Sequence, residues 1–404
     1  MKKILSIMIA IILVVFSVVG CSKKTNEVVK KDVLSKTQDE IIESAKGSTV
    51  SFYGYGGDEV MNKWFDKNVI PQMKEKYDIT VKRVGMDIDS ILNQLITEKQ
   101  VKNADGTIDV VWINGENFKN AKENDLLLGA FTKKLENFEK YVDTKSDDIT
   151  VDFGTNTSEM EAPWGKSQFT ILKNNKNVNE SIKSADELKK IIKKYPGKFT
   201  YPALPDFTGS AFVRNIIYDV VGYENIKNLP EDEAKVKEAI KPAIDYLNEI
   251  KPYLWNKGTT YPSTLSQLDN MYSDNEVYFT MTYAPSSVSK RIESGEFNKE
   301  TKTIKFDKGN LGNTHFLTIP NTSPNPDGAI VLINYLLGLE AQSSKSNINN
   351  WGDASIIDIS KLNNDDKKMF DNSIVIENSV PELKAGLVPI IEKIWTEEVL
   401  ESAK

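Results

Sequence analysis

Hydrophobic positions along this chain fall into three regimes. From Ile4 to Val19 they run unbroken behind Lys2 and Lys3, and the run stops at Gly20-Cys21. Over residues 22–35 (SKKTNEVVKKDVLS) charged and polar residues dominate without apolar periodicity, as in a flexible tether. From Thr37 onward, period-2 and period-3.6 stretches take turns. A short helix is predicted over Thr37 to Ala45. STVSFYGYGG alternates as a strand, and Asp58 is placed to cap a helix carrying Val60, Trp64, Phe65 and Met73. Ile79 to Met86 is a second strand, and Ile88, Ile91, Leu92, Leu95 and Ile96 repeat at helical spacing. TIDVVWI (107–113) is a buried strand breaking into Asn114-Gly115-Glu116 and a further helix.

The rhythm restarts near Ala162-Pro163-Trp164-Gly165. SQFTIL is a strand; Ser184 and Glu187 suggest a capping box for the helix of Leu188, Ile191 and Ile192. FTYP (199–202) is another predicted strand, and Asp206-Phe207-Thr208-Gly209-Ser210 opens a helix ending at Gly222. A long helix over Glu231 to Tyr253, kinked at Pro242, precedes the strand VYFTMTY. Pro285-Ser286 starts a helix, HFLTIP is a return strand, and Asp327 is placed to cap AIVLINYLL. Alternating strands and helices predict an α/β architecture with parallel strands and right-handed crossovers. In such sheets ligands bind beyond the carboxyl ends of the strands, where the turns after Tyr55 and Trp112 lie.

Composition removes several function classes. The 404 residues suffice for two domains or one large discontinuous one. The net charge of -7 is built from interleaved signs with no basic stripe, which argues against nucleic acid. Cys21 is the sole cysteine, so no internal disulfide forms. His315 is the sole histidine, which excludes zinc sites built on paired histidines and allows a Ser/His/Asp triad only through that residue. No phosphate-binding GxxxxGK[ST] loop and no GxGxxG after a strand occurs, so neither a nucleotide-driven motor nor a dinucleotide enzyme is implied.

Val18-Val19-Gly20-Cys21 resembles the processing site of bacterial lipoproteins: residues 1–20 would be a signal peptide and Cys21 the lipidated residue. An apolar run shorter than the ~20 residues of a span argues against an uncleaved transmembrane anchor. The body resembles bacterial ABC-importer solute-binding proteins of the maltose-, iron-, thiamine- and polyamine-binding superfamily. The matching stretches include YGGDEVMN, IDVVWINGENF, EMEAPWGKSQF, PGKFTYPALPDFTGSAF, MTYAP, HFLTIPNTSPNPDGAIVLINYLLGLEAQ and WGDASIIDISKL. The resemblance implies the two-lobe, type II periplasmic-binding-protein-like fold with a cleft between lobes. It also implies a non-catalytic receptor delivering a small molecule to a permease with its ATPase, tethered by lipid to the outer leaflet of the cell membrane. No cofactor is implied. Within that superfamily the chain most resembles a lineage of unassigned ligand; where that lineage usually has Trp before the glycine pair, Tyr55 stands here. The expected division is 21–47 as lipidated cysteine and tether, 48–160 with 312–345 as lobe one, and 161–311 with 346–404 as lobe two.

Candidate ligand-binding residues follow from strand ends and turns. Tyr53, Tyr55, Trp112, Asn114 and Glu116 lie on lobe one; Trp164, Phe207, Thr208, Gly209, Ser210 and Tyr283 belong to the crossover and lobe two. Trp112 equally suits core packing, and Thr208 to Ser210 equally suit a simple helix cap, with free N–H groups there fitting an anion. The aromatics with Glu116, Asp58 and Asp206 suit a cationic organic ligand; the same aromatics with Asn and Ser suit a sugar; a phosphonate or a metal ion held by oxygens stays open. Arg83, Arg214 and Arg291, the three arginines, lie outside the strand-end turns, which disfavours a bidentate clamp on a carboxylate. His315 is expected to be a packed residue. The competing classes are a secreted carbohydrate-active enzyme using paired carboxylates such as Glu116 and Asp206, and an adhesin or structural lipoprotein.

Overall fold

Residues 33–101 and 106–401 are described by the structure, a computed structural model. The signal peptide, Cys21 and the first part of the tether lie outside the described residues. Helix α1 (Gln38–Ala45) leads into β1 (Thr49–Gly54), α2 (Glu59–Trp64), α3 (Ile70–Tyr77), β2 (Thr80–Gly85), α4 (Ile88–Gln100), β3 (Val110–Ile113) and α5 (Glu116–Glu123). β1 pairs in parallel with both β2 and β3, as alternating strand and helix require. Asp58 caps α2, accepting from Val60 N and Met61 N. Between α2 and α3 one π-type turn, Phe65–Val69, absorbs Pro71, whose missing N–H would break a regular ladder.

Two long strands then tie the molecule together. β4 (Glu161–Gln168) runs into β5 (Thr170–Asn174) after a break at Phe169, and β8 (Asn310–Thr318) pairs antiparallel with β4 over its length, Gly312 opposite Gln168 and Thr318 opposite Glu161. The far end of β8, Phe316 to Thr318, pairs with β3. Its near end packs in the other half of the molecule: Leu311 O accepts from Phe169 N, and Asn215 accepts from Leu311 N. Between β5 and β8 come α6 (Ala185–Lys194), α7 (Phe207–Val220), α8 (Glu233–Ile250), α9 (Leu265–Ser273), β6 (Phe279–Thr282), α10 (Val288–Glu293) and β7 (Thr301–Ile304). Strands β6-β5-β7 form an antiparallel sheet, so the second lobe does not repeat the parallel pattern of the first. After β8 follow α11 (Pro326–Leu336), α12 (Leu339–Ser346), the short β9 (Ser379–Val380) beside β8, and α13 (Leu387–Trp395).

Each lobe has its own core. Lobe one packs Phe52, Phe65, Trp164, Leu317 and Ile330 on one face of its sheet and Ile91, Val111, Ile113 and Phe118 on the other. Lobe two packs Phe199, Phe212, Phe279, Ile391 and Trp395, with the Trp395 indole donating to the Tyr201 hydroxyl at 3.0 Å.

Several expectations change. Residues 33–47 are not tether: Val33, Ile41 and Ala45 are buried in lobe one, because α1 turns an apolar stripe inward and Lys36 pairs with Asp327 at 2.9 Å. That pairing also takes Asp327 away from capping; Asn325 holds the N-cap position and Pro326 starts α11. FTYP forms no strand. Pro202 removes a ladder donor, and Phe199 O instead accepts from Trp255 N in a loop. Ser184 caps α6 through Glu187 N, but Glu187 turns to Lys183 N, so the box closes on one side only. Residues 346–404 divide: Trp351, Ile356, Ile357 and Leu362 return to lobe one, while Leu383, Leu387 and Ile391 enter lobe two. Apolar spacing in the first of these segments suits the aromatic face of lobe one, which would otherwise stand uncovered.

Gly165 marks how tightly the crossing strands are covered: a Cβ there would come within 2.0 Å of Asp353 Oδ2 and 2.2 Å of His315 Nε2. Gly165→Ala is expected to lower the thermal midpoint by several degrees in calorimetry, through overpacking of about 1–3 kcal/mol. An unchanged midpoint would show that Asp353 does not lie there.

Candidate functional site

The carboxyl ends of β1 and β3 build the lobe-one wall. Tyr55, 51% exposed, lies over Gly57, where a Cβ would meet its hydroxyl at 2.2 Å. Asp58 spends one oxygen on the α2 cap and accepts from Trp351 Nε1 at 3.2 Å with the other. Trp112 is half-buried, with its ring 5.3 Å from Trp164, 5.1 Å from His315 and 6.1 Å from Trp351. Gly115, at φ +64°, lets the chain turn into α5 with its N–H on Asp152, and half-buried Asn114 and Glu116 flank that turn. Tyr53 is set apart from this group, because it packs on the opposite face of the sheet against the core of Ile91 and Ile113.

Trp164 is fully buried and serves as core, ringed by Phe52, Trp112, His315 and Trp351, with the Lys345 ammonium 5.9 Å from its ring centre. Its faces are already occupied, so a ligand does not reach them.

The lobe-two wall carries an aromatic pair and a polar network. Phe207, 39% exposed, packs on Tyr283 with centroids 5.0 Å apart. The N–H groups of Thr208 and Gly209 both donate to Asp206 at 3.0 Å, so the start of α7 offers no free donors there to an anion. Gly209 is required by packing, since a Cβ would sit 2.2 Å from Pro202 O. Ser210 donates to Glu392 at 2.6 Å and accepts from Arg214, whose guanidinium grips Glu382 at 3.0 and 3.1 Å; Tyr283 donates to the same carboxylate at 3.3 Å. The lobes meet around this network. Ala385 N donates to Phe153 O, Phe153 packs with Ala385 and Val388, and Lys119 lies 3.6 Å from Glu231.

Charge in the cleft is lopsided. Burial raises the pKa of Glu382 and of Glu392, with Glu116 adding to both and Arg214 opposing. Desolvation, then the carboxylates of Asp58, Asp269 and Asp206, hold the Tyr55 hydroxyl above the usual phenol range. All three arginines are engaged by the protein itself: Arg83 by Asp66, Arg214 by Glu382, Arg291 by Asp269 and Glu296. No group of three or more metal-ligating side chains is found among the described residues.

A cluster at the crossing strands escaped the sequence reading. Asp353 Oδ2 accepts from His315 Nε2 at 3.1 Å and from Lys345 Nζ, and His315 Nδ1 lies 3.2 Å from Ser167 Oγ. Burial works against the charge of Asp353, yet His315 and Lys345 outweigh it and hold the carboxyl below its usual range. Ser167, His315 and Asp353 line up in the order of a nucleophile relay. However, Lys345 shares the carboxylate oxygen, so the Asp353 charge is already spent on an ammonium. The Trp351-Gly352-Asp353 run, irregular amid polar sequence, was the available signal for this cluster.

Three comparisons place the chain. Residues 68–354 match the family model described as bacterial extracellular solute-binding protein. Protein YnjB of Escherichia coli (strain K12) is 31% identical over 360 residues, covering 88% of this chain and 92% of its own. Among solved structures, the Tp0655 lipoprotein of Treponema pallidum superposes with TM-score 0.63 at 12% identity, covering 87% of this chain and 99% of its own. A putative spermidine/putrescine ABC transporter protein from Listeria monocytogenes superposes with TM-score 0.59 at 17% identity over 87% and 98%.

Buried Glu161 supplies a test of the electrostatics. Both its oxygens lack a hydrogen-bond partner among the described residues, and burial, with Asp152 adding, pushes its pKa well above the carboxylate range. The folded state therefore binds this proton more tightly, and stability from it falls as pH rises from the ordinary glutamate pKa, about 4.3, through the folded value. Glu161→Gln is expected to raise the melting midpoint near neutral pH by several degrees, with the gain vanishing toward about pH 4; a pH-independent difference would contradict this. Two α/β lobes joined by crossing strands, an aromatic and acidic cleft between them, and the match over most of both chains lead to one identification: the chain belongs to the bacterial extracellular solute-binding protein family.

Proposed function

We propose that the chain is a lipid-anchored receptor that captures a small molecule between its lobes and delivers it to the permease of an ABC importer. The observation that carries this reading is the pair β4 and β8, each passing from one core into the other, so that bending there opens or closes the cleft. Ligand contacts are assigned to Tyr55, Trp112, Asn114 and Glu116 on lobe one and to Phe207 and Tyr283 on lobe two. Ser210 acts through the Arg214–Glu382–Glu392 network, while Tyr53, Trp164, Thr208 and Gly209 hold the walls in place. With every arginine paired internally and Glu116 facing Glu382 and Glu392, the cleft favours a cationic organic ligand over an anionic one.

The enzyme alternative built on Glu116 and Asp206 loses support, because both oxygens of Asp206 are spent on backbone N–H groups of Thr208, Gly209 and Leu265. Diacylglyceryl modification of Cys21 would hold the mature chain on the outer leaflet, where a tethered receptor meets its permease at high effective concentration. The fold shared with a Treponema lipoprotein agrees with that placement.

Calorimetry on the chain from Ser22 onward, against amines, sugars, vitamins, phosphonates and metal ions, is expected to find one amine-like class. Trp112→Ala should weaken that binding about tenfold, as loss of one cation–π face implies. Absence of binding across the panel would remove the receptor reading. Cys21→Ser is expected to move the protein out of the detergent phase; unchanged partitioning would contradict the anchor.

A further inference from the structure

One apolar contact belongs to neither lobe's core. Phe153, Ala385 and Val388 form a buried cluster of their own, the ring coming from lobe one and the other two residues from lobe two. Phe153 sits on a tight hairpin, residues 151–156, in which Asp152 pairs with Thr155. Lobe one fixes this hairpin through Ile149 in its core and through Lys122, which donates to Asn156 O at 2.6 Å and to Ser158 Oγ at 2.7 Å. On the other side, Leu387, Ile391 and Ile394 of α13 enter the core of lobe two, which leaves Ala385 and Val388 to meet the hairpin. Opening the lobes therefore uncovers the ring.

The hairpin adopts an unfavourable backbone to make this contact. Phe153 has φ +43°, a left-handed value that bulky side chains rarely take. Gly154, at φ +72°, leaves no room for a side chain, since a Cβ would lie 3.0 Å from Lys384 Cα. Phe153 O accepts from Ala385 N at 2.5 Å, so a lobe-one carbonyl satisfies a donor just before a lobe-two helix. Beside it, the Glu231 carboxylate lies against Gly386, and Lys119 of α5 is 3.6 Å from that carboxylate. A backbone bond, a ring and an ion pair thus cross at one place. The ring dominates, because burying a phenylalanine shifts an equilibrium by about tenfold or more, whereas a solvent-exposed ion pair shifts it little. The same ring lies on Gly115, where a Cβ would come within 3.2 Å of three of its atoms, and Asp152 accepts the Gly115 N–H at 2.5 Å. Hairpin and binding turn, Asn114 to Glu116, are therefore one piece.

We propose that Phe153 is a closure latch: a positioning residue that holds the lobes together by setting its ring against Ala385 and Val388, and so sets affinity without touching the bound molecule. The inference rests on the receptor reading and adds to it the contact that fixes how much of the chain is closed. Apparent affinity scales with that closed fraction. A molecule that orders the turn of Asn114 and Glu116 also seats the ring, because Gly115 joins the two.

The test needs no ligand. Both cores lie within 33–401 and Cys21 is the sole native cysteine, so the chain from Ser22 onward takes spin labels at Glu123→Cys and Glu238→Cys alone, and pulsed electron resonance reads the ratio of short to long distances between lobes. Phe153→Gly removes the ring while relieving the positive φ, so the hairpin itself is favoured. It is expected to lower the ratio about tenfold. Phe153→Leu, which keeps an apolar side chain, is expected to lower it about threefold, and Glu231→Gln by no more than about twofold. An unchanged ratio in Phe153→Gly overturns the proposal, as does a loss in Glu231→Gln that matches or exceeds it. Unfolding of Phe153→Gly, or a thermal midpoint lowered by several degrees with the distances unchanged, makes the ring ordinary core and overturns it too. Failure of the receptor reading shows separately, as absence of binding in calorimetry, and leaves these distances as they are.

Discussion

The antiparallel pairing of β4 with β8 is the interaction on which both lobes depend. One end of the pair is stitched to β3 and the other is held by Phe169 and Asn215, so a single hydrogen-bonded ribbon belongs to two cores at once. A two-stranded ribbon twists more readily than a packed core deforms, so relative movement of the lobes concentrates there. The same ribbon carries the residues that matter chemically. Gly165 admits Asp353, His315 bridges it to Ser167, and the tryptophans around His315 extend the arrangement to the half-buried face of Trp112. Hinge and cleft are thus one construction.

Charge explains why the cleft is selective instead of merely sticky. Taking a carboxylate out of water is expensive, and the protein gathers Glu116, Glu382 and Glu392 around Arg214. Each arginine that might have received an anion is turned inward to a carboxylate of the protein. A cation entering between the lobes relieves an existing repulsion, and the relief is greatest in the closed form, where water is excluded. Contacts such as Lys119 with Glu231 add little on their own, being exposed to solvent. They align the lobes, and the ligand would supply the difference between open and closed.

The parallel unit β1-β2-β3 was legible because its hydrophobic alternation and glycine turns are local properties. Asp58 as a cap was legible for the same reason. The hinge was legible only in part: SQFTIL reads as a strand, but its extension back to Glu161 depends on β8, which arrives from 148 residues away. Helix α12 is a different case. Its Gln342, Ser343, Lys345 and Ser346 imply an exposed helix, yet all four are buried. Gln342 explains why: its amide donates to Trp164 O and Leu336 O and accepts from Ser355 and Ile356, so burial leaves nothing unpaired. Polarity in a sequence records hydrogen-bonding capacity, and partners far along the chain can satisfy it. The start of α7 shows the converse, where a plausible anion site was already filled by Asp206 two residues earlier.

The central claim is that the two cores move as bodies about β4 and β8 and close on a ligand. Pulsed electron resonance between spin labels at Glu123→Cys on α5 and Glu238→Cys on α8, in the chain lacking Cys21, measures that movement directly, because these helices carry or adjoin the Lys119–Glu231 contact between lobes. The account predicts a broad distance distribution without ligand that sharpens and shortens when the ligand found by calorimetry is added. A single narrow distance, identical with and without bound ligand, would contradict it.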